Sequence, residues 1–130
     1  MRLPVLLAAL LLATPAAAQR APEWRIAPEA DILLRPFAYE PRTIRLRAGE
    51  PVRLRFVNNS RATLGFSAPA FFRAARIRSR DARALRGGSV RLGPGEQVTV
   101  ALVPALGRYR ARSGNLSHRL LGMSAEIIVE

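Results

Sequence analysis

The chain has 130 residues, no cysteine, a single histidine and a formal net charge of +12, and all 21 of its basic residues are arginine. The lack of cysteine excludes a disulfide framework and thiolate chemistry, so any fold must be held by its core alone. The positive charge predicts attraction to an acidic periplasmic protein or to an anionic membrane or cell-wall surface, weakened by salt. The low aromatic content leaves no stacking platform for nucleic acid, which is set aside as a partner. A genome biased toward arginine, together with the wet faces of strands, is the competing source of the charge.

Taken in order, Arg2 precedes an apolar run from Leu3 to Ala13, then Pro15 and Ala16-Ala17-Ala18. This is the three-part layout of a secretory signal peptide over residues 1–18, too short and wrongly flanked for a membrane span. Cleavage after Ala18 predicts a periplasmic or secreted protein of 112 residues, not transmembrane, with room for one domain. Residues 19–30 are polar and contain proline, a leader that Trp24 is placed to pin. The domain proper is expected over residues 31–130.

Asp31 to Phe37 reads as a first strand, with Pro36 marking an edge or a bulge. Ile44 and Leu46 then alternate with Arg45 and Arg47, and Val52, Leu54 and Phe56 alternate with Arg53 and Arg55 across a turn at Ala48 to Pro51. These are two half-buried strands. Asn58-Asn59-Ser60 breaks the second, and Leu64-Gly65-Phe66 resumes the pattern. The segments Asn58-Asn59-Ser60 and Asn115-Leu116-Ser117 both fit the N-glycosylation acceptor pattern, a short and unspecific signal. Ser67 to Ile77 changes period, and Ser67 as cap with Pro69 in the first turn predicts a short helix whose Phe71 and Phe72 enter the core. Asp81 to Arg86 adds a turn that Gly87-Gly88 ends. Val90 and Leu92, then Val98, Val100 and Leu102, give two more strands around the turn Gly93 to Glu96. Tyr109, Ala111 and Ser113 alternate with Arg108, Arg110 and Arg112, and Ala125, Ile127 and Val129 with Glu126 and Glu130. Seven or eight short strands at this spacing predict an all-β sandwich with a short helical insertion.

Between the last two strands lie His118 and Met123, the only methionine besides Met1. An imidazole and a thioether in one inter-strand loop are donors that copper uses, and polar loop histidines and gap-filling methionines are also common in packed loops. The pattern Tyr109-x3-Ser113-x4-His118-x3-Gly122-Met123 resembles the copper-binding loop of the cupredoxins, with Ser113 where the family has cysteine. The run from Phe37 to Asn59, FAYEPRTIRLRAGEPVRLRFVNN, resembles the opening of the same fold. The resemblance implies a Greek-key β-sandwich, and its closest branch is the EfeO-type cupredoxin-like domains associated with bacterial metal uptake. It also implies a copper site of two histidines, one cysteine and a weak axial methionine, of which only His118 and Met123 have counterparts here. Leu64 stands at the position of the other histidine, and the four positions are expected to converge at one end of the sandwich.

Type 1 copper needs a thiolate and two imidazoles. One chain without cysteine and with a single histidine lacks them, so no cofactor is expected, and any copper held is held weakly. No nucleophile with its base, carboxylate cluster or nucleotide loop is visible, which predicts a protein that is not an enzyme. Two readings remain open. One is an exported cupredoxin-like module, its copper site degenerate, that acts through its basic surface as a binding or accessory protein. The other is a copper handler using His118 and Met123, completed by backbone, by Gln19 at the new N-terminus or by a second molecule.

Overall fold

A computed structural model describes residues 22–113 and 123–130. The predicted signal peptide, His118 and the acceptor pattern at Asn115 lie outside these residues. Among the described residues, ten strands form two five-stranded sheets. The first contains β1 (Glu29–Arg35), β2 (Ala38–Glu40), β4 (Val52–Asn58), β6 (Arg76–Ile77) and β8 (Gln97–Val103), in the order β2-β1-β4-β8-β6. The second contains β3 (Thr43–Leu46), β5 (Leu64–Ser67), β7 (Ser89–Leu92), β9 (Gly107–Arg112) and β10 (Ser124–Val129), in the order β3-β10-β9-β5-β7. Most neighbours are antiparallel, but β1 runs parallel to β4 and β3 parallel to β10, so both sheets are mixed.

The alternation read from the sequence is the burial pattern of the strands. Along β4, Val52, Leu54, Phe56 and Asn58 are buried while Arg53, Arg55 and Val57 are half-exposed. Ala111 and Ser113 are buried between exposed arginines, and Ala125, Ile127 and Val129 face the same way from β10. The core between the sheets is aromatic at its centre. Phe66 meets Tyr39 edge-on at 5.1 Å and is tilted against Phe56 at 4.9 Å, and Phe72, Phe71 and Tyr109 continue the chain of rings. Edge-on aromatic pairs at such distances add to the stabilisation from area burial alone.

Three local expectations are corrected. Pro36 neither bends a strand nor marks an edge: β1 stops at Arg35, and Pro36-Phe37 form a two-residue turn into β2, with Phe37 at φ 66°. Proline followed by a residue of positive φ is what a type II turn requires. Ser67 does not cap the helix α1 (Pro69–Ala74), whose N-cap is Ala68. The Ser67 hydroxyl instead accepts a hydrogen bond from that of Ser89 at 2.8 Å, because Ser67 is still in β5 and paired with β7. The helix also ends before Ile77, which belongs to β6. Phe71 and Phe72 are buried as expected.

A 3₁₀ segment, Ser79–Ala84, covers the outer face of the first sheet. Asp81 Oδ2 accepts from Arg78 Nε at 2.7 Å and from the backbone N–H of Ala101 at 2.9 Å, and the Arg78 N–H donates to the Ala101 carbonyl. Ala101 is buried as a result, although it points away from the core. The leader is tied down at its end, where Arg53 donates from its backbone to Pro28 and from Nε to Ala27. Trp24 is half-buried.

Candidate functional site

The site expected from the sequence lies at one end of the second sheet. Leu64 opens β5, Ser113 follows the last residue of β9, and Met123 precedes the first of β10. All three are buried, with 1%, 2% and 0% of their surface exposed. The Ser113 N–H donates to the Met123 carbonyl at 3.3 Å, which extends the β9/β10 ladder by one pair and sets the two residues opposite each other. Leu64 and Ser113 also border one depression of about 400 Å³, lined besides by Arg91 and by Ser67 and Ser89 of β5 and β7. Three of the four expected positions are thus brought to the same end of the sandwich, and the fourth, His118, lies outside the described residues.

Asn58, which the sequence marks only as a strand break, holds this end together. It is wholly buried at the end of β4. Its Nδ2 donates to the carbonyls of Ala62 at 2.8 Å and of Leu92 and Gly93 at 3.0 Å. Its Oδ1 accepts from the backbone N–H and the hydroxyl of Ser60. One amide therefore shapes the loop that leads into Leu64 and ties it to the end of β7. A buried amide is used this way because it supplies donors and an acceptor at once, where a hydroxyl or a carboxylate supplies fewer. The arrangement also corrects the glycosylation pattern at Asn58, since the nitrogen that would carry a sugar is buried and already bonded to three carbonyls. What would have marked Asn58 in the sequence is its phase: it continues the inward-facing series Val52, Leu54, Phe56 with a polar residue.

Tyr39 ties the same strand to the first sheet. Its hydroxyl donates to the Gly65 carbonyl, and burial pushes the phenol well above the ordinary tyrosine range. Leu64 is therefore flanked by fixed backbone, at Gly65 by Tyr39 and before Thr63 by Asn58.

The donors present do not fit a type 1 copper ion. Leu64, where the resemblance places a second histidine, is a hydrocarbon packed into the core, Ser113 presents a hydroxyl and not a thiolate, and the sequence holds one histidine and no cysteine. Among the described residues no group of three or more histidine, cysteine or carboxylate side chains is arranged to hold a metal.

No protein-family model and no curated protein matches the sequence. Solved structures do. Auracyanin B is 23% identical over 80% of this chain and 89% of its own, with a TM-score of 0.57. Auracyanin A, described as a "blue" copper protein from the green thermophilic photosynthetic bacterium Chloroflexus aurantiacus, is 18% identical over 80% and 100%, with a TM-score of 0.56. Dithionite-reduced auracyanin from the photosynthetic bacterium Roseiflexus castenholzii is 16% identical over 80% and 97%, with a TM-score of 0.58. At these identities the likeness is one of fold, and the chain has the cupredoxin-like β-sandwich. The likeness does not reach the EfeO-type branch.

Proposed function

We propose that this chain is an exported cupredoxin-like protein that has lost the type 1 copper ligand set and works, without catalysis, as a binding or accessory module through its arginine-rich surface. The observation that carries the reading is Leu64. It is 1% exposed and part of the hydrophobic core, so this end of the sandwich is built around packing and not around a polar ligand. Similarity in fold to a protein described as a blue copper protein makes the missing thiolate and imidazole the feature that separates this chain from such a neighbour. The layout of residues 1–18 supports export, and among the described residues no helix is long and apolar enough to cross a membrane.

Met123, the expected thioether donor, lies opposite Ser113 at this end of the sandwich, which favours one second reading, the copper handler. Copper titration separates the two. A ligand that binds only the native state raises the melting temperature. The module reading expects no rise with Cu(I) and no intense visible absorption with Cu(II). A rise that His118→Ala abolishes would replace it with the handler.

A further inference from the structure

The arginines are unevenly matched by acid. On the outer face of the first sheet, Arg55 forks onto Asp31 at 2.8 and 2.9 Å, Arg53 and Arg55 both reach Glu29, and Arg35 meets Glu40. The register of the parallel pair makes this arrangement, setting Glu29 beside Arg53 and Asp31 beside Arg55. The outer face of the second sheet is different. There β9 presents Arg108, Arg110 and Arg112 at alternate positions, all exposed. Glu126 of β10 meets Arg108 at 3.4 Å. Arg110, Arg112 and, on β7, Arg91 form no ion pair among the described residues.

Small residues lie between these side chains. Ser67 pairs with Arg112 on one side and Ser89 on the other, and Gly65 pairs with Arg91. This floor leaves two depressions, of about 400 and 470 Å³, that meet at Ser67 and Ser113, with Arg91 bordering the first and Arg110 and Arg112 the second. The hydroxyls of Ser67 and Ser89 share one hydrogen bond. Two O–H groups joined by one bond keep one O–H to donate to an incoming acceptor.

We propose that this arginine-walled trough binds an extended acidic segment of a partner protein, with carboxylates at alternate positions meeting Arg110 and Arg112 of β9 and a further one reaching Arg91 of β7. The inference rests on the binding-module reading and gives that reading a location. Alternate residues on β9 stand about 7 Å apart, the same repeat as alternate side chains of an extended peptide. The guanidinium fork matches carboxylate geometry, and like charges at this spacing repel one another until an anion lies between them. A lipid surface fits less well. The trough is concave, and among the described residues the exposed large hydrophobic ones, Ile26, Phe37 and Leu106, lie outside the strands that form it.

The test uses the purified protein and a fluorescent peptide in which glutamate alternates with threonine, at low and at high salt. A second peptide of the same composition has its glutamates in one block, and vesicles of anionic phospholipid form the third probe. The variant Arg91→Gln/Arg110→Gln/Arg112→Gln is compared with Arg73→Gln/Arg76→Gln/Arg83→Gln, which removes the same charge from exposed positions elsewhere. The proposal expects salt-sensitive binding of the alternating peptide, weaker binding of the blocked one, and a loss of about tenfold in the first variant against less than about twofold in the second. Equal losses in both variants would overturn the site while leaving a basic binding surface intact. Binding to vesicles but to neither peptide would overturn it in favour of a membrane surface. Absence of binding to any probe at low salt would remove the binding-module reading as well.

Discussion

Tyr39 shows how one side chain connects the two sheets and leaves a signature in solution. It comes from β2, at the edge of the first sheet, and its hydroxyl bonds to Gly65 in the second while its ring packs edge-on against Phe66. The buried phenol is held neutral, so its pKa in the fold lies above the ordinary value of 10.0. A raised acid pKa contributes stability that is present in full below the ordinary value and declines as pH rises beyond it, because only the unfolded chain then ionises. The decline from one such group reaches at most about 1.4 kcal/mol per pH unit. Tyr39→Phe should therefore flatten the loss of stability above about pH 10 and lower stability near neutrality by about 1 kcal/mol through the lost hydrogen bond. Urea denaturation of both proteins across that range checks it, and parallel curves would show that Tyr39 is not the group that titrates.

At the scale of elements, alternation alone makes most of the sandwich legible in the sequence. The pattern VRLRFVN is β4, and GRYRAR and SAEIIV are β9 and β10. Alternation has the same period in parallel and antiparallel strands, however, so it says nothing of which strand lies beside which, and the parallel pairs β1/β4 and β3/β10 cannot be read from it. Ser67 escapes the pattern for a related reason: a serine two residues before a proline suits a helix cap equally well whether or not a neighbouring strand takes its hydroxyl. At the site, the missing donors are legible because absence from the sequence is independent of geometry, while the role of Asn58 is not, since its partners Leu92 and Gly93 are far along the chain. Gly88 exposes a further contact that only the fold defines. It sits at φ 76°, and a Cβ there would lie 2.5 Å from the Cα of Pro69 in α1, whereas Gly49, at φ 77°, has open space around the same position. Both glycines should resist alanine by about 1 kcal/mol for backbone reasons. Gly88→Ala should cost at least about 2 kcal/mol more, because α1 must move off the end of β7. Equal denaturation midpoints for the two variants would mean that the helix gives way freely.

For the whole molecule, the question is whether this end of the sandwich has the geometry of a copper site without its donors. Leu64 and Ser113 are both buried at this end of the sandwich, and Ser113 lies opposite Met123 across the β9/β10 ladder, with the loop before Leu64 pinned by Asn58. This end is built from backbone hydrogen bonds and a buried amide, none of which needs a metal. Replacing Leu64→His together with Ser113→Cys should then complete a set of two histidines, one cysteine and one methionine with His118 and Met123, with little change in backbone. Serine and cysteine differ by one atom, so the second change is mild. The first places a polar ring where a leucine is 1% exposed, and losing that packing while burying a ring nitrogen should cost the metal-free protein about 3 kcal/mol. Copper binding to the folded state would restore part of this, so the double variant should melt below the parent without copper and recover with Cu(II). It should also turn intensely blue or green on Cu(II) addition, while Ser113→Cys alone and Leu64→His alone do not, since each leaves the trigonal set one donor short. A folded double variant that takes up no copper, or takes it up without thiolate-to-copper charge transfer, would show that these four positions do not face a common point.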